Sequence, residues 1–199
     1  MNLFDLLIKR KIPGKIYDFD KKIIHITDTP DVVFPYLRRL IRIINPDIII
    51  HTGDLVDNIK LEFSRSDIIN YEKRVKSLIK ILKSVSPEKI IIAIGNHDDK
   101  DIIKKYLDED DILEEKIIIN IDEKRYLISH RYEACTEKNI DYFLYGHDLS
   151  KMSDLYDKPI YLNGLAYIYI IDALSGEIGK IPYPKDTDDF RMKKFKMGF

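Results

Sequence analysis

At 199 residues, with 33 Lys and Arg against 34 Asp and Glu and a formal charge of −1, the chain fits one hydrophobic core and has no broad positive field, which argues against a histone-like or sliding nucleic-acid binder. The single cysteine, Cys135, excludes an internal disulfide and a thiolate metal cage, and no apolar run approaches the length that spans a bilayer. The opening MNLFDLLIKRK carries its basic residues after its apolar ones, the reverse of a secretory signal. A soluble cytoplasmic protein is the expectation. Isoleucine supplies 36 residues and glutamine none, with Lys and Glu abundant, a bias reported for proteins of hot habitats.

Short Ile-rich runs separated by helical spacing or turn residues predict the buried strands of an α/β sheet. In chain order these are Lys22 to Thr27, Asp47 to Thr52, Lys89 to Ile94, Arg125 to Ser129 and Asp141 to Tyr145. Between the first and second, Phe34 to Ile44 places Leu37, Leu40, Ile41 and Ile44 on one face and Arg38, Arg39 and Arg42 on the other, an amphipathic helix with a solvated basic side. Between the second and third, Ser66 to Val85 reads as a long helix with Ser66 or Asp67 as N-cap. Asp101 to Leu107 reads as a shorter one. Strand, helix, strand, helix, strand in right-handed connection gives a parallel sheet. Beyond residue 150, Pro159 to Leu162 and Leu165 to Asp172 read as strands around an Asn163-Gly164 turn, a hairpin signal. The charged tail from Lys185 to Phe199, with Phe190, Phe195 and Phe199 interspersed, reads as a mobile or docked terminus rather than a nucleic-acid-binding arm. The whole chain, 1–199, reads as one domain with its core at about 22–172.

Ligands of open α/β sheets bind outside the carboxyl ends of the strands. The five runs end at Asp28, at Gly53-Asp54, at Gly95-Asn96-His97-Asp98, at His130 and at Gly146-His147. Each ends in a residue able to ligate a metal or move a proton, and carboxylate, amide oxygen and imidazole together form the mixed N/O set that suits Mn, Fe, Zn or Ni. Taken singly, Asp28 could cap a helix and Asp57 could cap or face water. Five strand ends of one kind in series outweigh those readings. His25 and His51 each precede their aspartate by three residues, so they read as packed or supporting side chains on the other sheet face. Asp98 follows His97 directly; it either orients that imidazole or caps a helix.

Asp28, Gly53-Asp54-Leu55-Val56-Asp57, Gly95-Asn96-His97-Asp98, His130 and Gly146-His147 resemble, in order and spacing, the calcineurin-like metallophosphoesterase family over roughly residues 22 to 172. The resemblance implies a four-layer α/β/β/α sandwich and a two-metal centre that hydrolyses phosphomonoesters or phosphodiesters. It implies Asp54 as the aspartate shared by both metals, Asn96, His130 and His147 as further ligands of one of them, Asp28 as a ligand of the other, and His97 as the catalytic histidine. Two positions depart from the family's pattern. Pro30 and Leu149 stand where the family has histidines, and both belong to the same metal. Asp31 and Asp148 lie one residue from these gaps. The expectation is therefore a phosphoesterase with one tight divalent transition metal, a second site weak or altered, and a small phosphate-ester substrate. Neither extended nucleic-acid binding nor a membrane is expected. A non-catalytic scaffold and a phosphate or nucleotide sensor are the alternatives. Substrate choice falls to the loops Val56 to Ser66, Asp99 to Glu115 and Arg131 to Asn139.

Overall fold

The structure is a computed structural model that describes residues 3–133, 135–147, 149, 152–155 and 158–187. Along the chain come α1 (Leu3–Lys9), β1 (Lys22–Ile26), α2 (Phe34–Ile44), β2 (Ile48–His51), α3 (Ile68–Leu82), β3 (Lys89–Ala93), α4 (Lys100–Lys104), β4 (Ile112–Glu114), β5 (Lys116–Ile121), β6 (Lys124–Ser129), β7 (Tyr142–Tyr145), β8 (Ile160–Asn163), β9 (Ile168–Asp172) and β10 (Ile178–Ile181). They form two sheets. The larger has the order β10-β9-β1-β2-β3-β4, parallel from β1 to β4 with β9 and β10 antiparallel. The smaller has the order β5-β6-β7-β8, parallel from β6 to β8.

Alternation along each strand sorts the side chains into layers. On the larger sheet Ile24, Ile26, Ile49, Ile90 and Ile92 face the helices, where they meet Leu37, Leu40 and Ile41 of α2 and Val75, Leu78 and Leu82 of α3. Their neighbours Ile23, Ile48, Ile50 and Ile91 face the smaller sheet and pack on Tyr126, Ile128, Tyr142 and Leu144. Each such side chain taken fully from water contributes about 1.5–3 kcal/mol, so a one-residue slip of register would move a whole row out of its core. On the outer face of the smaller sheet Leu127, Phe143 and Tyr145 pack with Ile140, Cys135 and Tyr161, and the Tyr132 ring stacks on Phe143 at 6.0 Å. Among the described residues Tyr132, Cys135 and Ile140 contribute to this fourth layer. No helix among the described residues is long and apolar enough to cross a membrane.

The helix α2 has the expected bounds. It ends where Asn45 turns left-handed, at φ 50°, and donates its N–H to Ile41. The long helix is shorter than its periodicity suggests, because 3-10 turns at Arg65–Asp67 and Lys83–Val85 take its ends. Neither expected cap acts through its side chain: Ser66 pairs with the Ser64 hydroxyl, and Asp67 makes no capping bond. The short helix lies at Lys100–Lys104 rather than 101–107, capped by Asp99, which accepts the Ile102 N–H. The Asn163-Gly164 dipeptide corrects another expectation. It does not close a hairpin: β8 belongs to the smaller sheet beside β7, and β9 to the larger beside β1. Asn163 Oδ1 accepts the Leu165 N–H at 3.0 Å, and the chain crosses between sheets there. Burial of Leu162 and Ile168 in separate layers outweighs the local turn preference. Of the expected tail, residues 188–199 lie outside the described part.

Candidate metal centre

The parallel strands of both sheets end at one edge, and the loops leaving them are tied together across it. Asp28 N–H donates to the Gly53 carbonyl and Thr29 N–H to the Asp54 carbonyl, each at 3.0 Å, and Gly146 N–H donates to the His130 carbonyl at 2.9 Å. Asp28, Asp54 and His147 all adopt the left-handed backbone region, at φ 47°, 53° and 72°. Non-glycine residues held there cost of order 1–3 kcal/mol each and persist where surrounding structure dictates them. The approach of the loops is close enough that a Cβ on Gly95 would lie 2.2 Å from Asp54 Oδ1, so glycine is required there.

Four of the sequence-predicted residues converge. His130 Nε2 lies 3.1 Å from His147 Nδ1, 3.2 Å from Asn96 Oδ1 and 3.5 Å from Asp54 Oδ2. The other ring nitrogen, Nδ1, donates to the Thr52 carbonyl at 2.7 Å, which places a proton there and directs Nε2 toward its three neighbours. A ring anchored in this way is how proteins hold a metal-binding imidazole. Burial disfavours charge on His130, yet Asp54, Asp28 and the Thr52 carbonyl prevail and raise its pKa to about 9. For Asp54 burial pulls upward, but His130, His97 and Lys60 hold the carboxylate well below the usual range. The cluster thus favours positive charge at the meeting point of the four donors, a demand that a divalent ion would also meet. These donors fit a metal.

Asp28 stands at the rim but outside this group. Its Oδ2 accepts from the Thr27 hydroxyl at 2.6 Å and from His147 N–H at 3.1 Å, and burial raises its pKa. Among the described residues, the trios with donor atoms within 4.8 Å of one another are Asp54–His130–His147 and Asp54–Asp57–His97. Asp57, which taken singly could cap or face water, does neither. It is instead buried, ion-paired with Lys60 Nζ, and raised to about 8 by burial and by Asp28 and Asp54, with Lys60 opposing. At the two gaps, Pro30 is buried and Leu149 exposed. Asp31 does not replace an imidazole, since Arg74 Nε holds its carboxylate at 3.1 Å. Asp148 lies outside the described residues.

The His97 ring packs against Phe63, with centroids 5.7 Å apart, and lies 3.4 Å from Glu62 Oε2; its backbone N–H donates to Asp54 Oδ1 at 3.1 Å. Burial lowers its pKa, with Asp54 and Glu62 acting the other way. Asp98 does not orient this imidazole. Its carboxylate accepts N–H groups from Asp54, Leu55 and Gly95 at 2.8–2.9 Å and the Tyr71 hydroxyl at 2.8 Å, clamping the second and third strand-end loops together. Burial and the neighbouring Asp54 raise it to about 6. His25 and His51 are packed as expected. Burial pushes both down to about 3. Thr29 gives its only proton to the Leu55 carbonyl, so His51 Nε2 donates to Thr29 Oγ1 at 2.9 Å and Nδ1 accepts the Gly53 N–H. His51 thereby props the loop that carries Asp54.

Lys60 and Glu62 escaped the sequence reading because they lie in an aperiodic loop. Glu62 Oε2 accepts from Asn96 Nδ2 at 2.8 Å, which leaves Oδ1 turned toward His130. We predict that Glu62→Ala, at a half-exposed position, leaves the fold intact and weakens metal affinity roughly 10–100-fold, as loss of ligand-orienting partners does. Titration calorimetry with Mn²⁺ checks this; an unchanged affinity would show that Asn96 needs no such support.

The fold and this rim define an α/β sandwich protein with a candidate metal-binding edge. The family model for calcineurin-like phosphoesterase matches residues 21–132, and the chain belongs to that family. No curated protein matches it in sequence. Among solved structures it is similar to an archaeal phosphodiesterase, at TM-score 0.58 and 23% identity over 81% of this chain and 99% of that one. It is also similar to YfcE, a phosphoesterase from E. coli, at TM-score 0.51 and 14% identity over 82% and 100%. At these identities the likeness is one of fold.

Proposed function

We propose that the protein is a metal-dependent phosphoesterase acting on small phosphate esters, in which Asp54, Asn96, His130 and His147 hold one divalent transition ion tightly and any second ion binds weakly. The observation that carries this is the convergence of three donors on His130 Nε2 within 3.5 Å. Nitrogen and oxygen donors in this mixture suit Mn, Fe, Zn or Ni. When bound, such an ion supplies a more acidic water and polarises a phosphoryl group. Water attack at phosphorus breaks the bond to the leaving oxygen, which needs a proton. In this reading His97, beside the ligand Asn96 and outside the ligand set, delivers it or donates to a phosphoryl oxygen. Asp98 with Tyr71 keeps the Asp54 and Asn96 loops in register, and Glu62 orients Asn96. The lone cysteine supports a cytoplasmic setting.

The second reading, a binding or sensor protein on the same fold, is favoured by Pro30 and Leu149. A steady-state assay with an aryl phosphodiester and an aryl phosphomonoester across a panel of divalent metals separates the two. We expect turnover only with metal and about one tightly held ion per chain. Metal binding without turnover of either ester would favour the binding protein, and two equally tight ions would overturn the one-site reading.

A further inference from the structure

One side of the rim carries more carboxyl groups than the four-donor group needs. Asp28 and Asp57 are both buried, and each interacts electrostatically with Asp54. The Asp54–Asp57–His97 trio has the spacing of a cation site, and the residue touching it is itself a cation. Lys60 Nζ donates to Asp57 Oδ1, with a side chain only 20% exposed, and its charge also acts on Asp54 and His97. Lysine is seldom drawn this far from water without a partner. An ammonium has three N–H donors, so the bond to Asp57 leaves two.

We propose that the Lys60 ammonium is the second cation of this site: it occupies the Asp54–Asp57–His97 side, stands in for the ion whose resemblance-implied histidines are replaced by Pro30 and Leu149, and donates to a non-bridging phosphoryl oxygen of the substrate. This rests on the phosphoesterase reading. A fixed single charge has two consequences. It repels a divalent ion from that side, which keeps the site at one metal. It also brings one positive charge, where a second divalent ion would bring two, beside the buried Asp28, Asp54 and Asp57. A phosphodiester monoanion is therefore accepted in preference to a phosphomonoester dianion.

The test compares the parent, Lys60→Gln and Lys60→Arg, each with and without Pro30→His plus Leu149→His. It reads Mn²⁺ per chain by equilibrium dialysis, together with kcat and KM on an aryl phosphodiester and an aryl phosphomonoester. Lys60→Gln should lower kcat/KM on the diester roughly 10²–10³-fold, the loss typical of one donor to developing charge, while the first ion stays bound. Lys60→Arg should recover part of it. With the two histidines installed, Lys60→Gln should bind two ions per chain, and the Lys60-containing protein should remain near one. If the histidine variant fails to fold, Lys60→Gln alone should tighten the weak second Mn²⁺ site about tenfold, since a like charge at a few ångströms has been removed. Unchanged kcat and KM in Lys60→Gln, a parent preference for the monoester, or a second ion bound equally well with Lys60 present would each overturn the proposal. A parent inactive with every metal would instead sink the phosphoesterase reading, and the ion counts alone would then decide whether Lys60 acts as the second cation.

Discussion

His130→Ala is expected to abolish tight binding of a divalent metal and to lower phosphoester turnover roughly 10³-fold or more, since a catalytic ion supplies several kcal/mol of transition-state stabilisation and each ~1.4 kcal/mol is tenfold in rate. Its Nε2 is the atom on which the donors from Asp54, Asn96 and His147 converge. Alanine removes that meeting point and also the Nδ1 bond to Thr52, which sets the direction of the ring. The loss should therefore exceed that from Glu62→Ala, which disturbs one ligand through its neighbour. Metal analysis after dialysis and a steady-state assay on the same preparation check it. A His130→Ala protein with full metal content would mean that the ion sits elsewhere, with the Asp54–Asp57–His97 trio the next place to look.

His97→Ala should give the opposite signature: metal content intact and turnover lowered roughly 10²–10⁴-fold, the range for loss of a positioned proton donor. The ring contacts Phe63 and Glu62 but lies outside the four-donor group, while the backbone N–H that supports Asp54 survives the substitution. The loss should also shrink with a better leaving group, because an oxygen that departs as a stable anion needs no proton. A His97→Ala variant that lost metal yet kept its activity per bound ion would exchange the roles assigned to His97 and His130.

The parallel half of the larger sheet was legible because β1, β2 and β3 are Ile-rich runs separated by two helically spaced segments, and the helix bounds at Phe34 and Ile44 follow from one stripe. β5 was missed although Lys116 to Ile121 is plainly apolar. It lies at a sheet edge with an exposed-buried alternation and follows the three-residue β4 with hardly a break, so it reads as an extension of a loop. The hairpin expected at Asn163 failed because local turn chemistry is silent about which of two sheets a strand will join. At the site, strand-end residues pointed to the rim, since chemistry placed at a strand terminus survives projection onto one dimension, and the family resemblance singled out Asp54, Asn96, His130 and His147 among them. Asp98 misled because adjacency to His97 in sequence means little where the chain turns: its side chain faces back to Asp54, Leu55 and Gly95. Lys60 and Glu62 carried no sequence signal, because a loop without period places its side chains by tertiary contacts alone.

Asp54 and Asn96 leave the larger sheet, whereas His130 and His147 leave the smaller one. An ion shared by these four would consequently be a clasp across the seam of the sandwich, and its occupancy and the docking of the two sheets would become a single linked equilibrium. At a free metal concentration 100 times Kd, such linkage adds about 2.7 kcal/mol to the folded state. The coupling runs both ways, so a loosened contact between Ile50 or Ile91 and the tyrosines opposite would register at the rim as weakened metal affinity. In this molecule a packing defect between the sheets and a lost ligand can produce the same apparent deficiency.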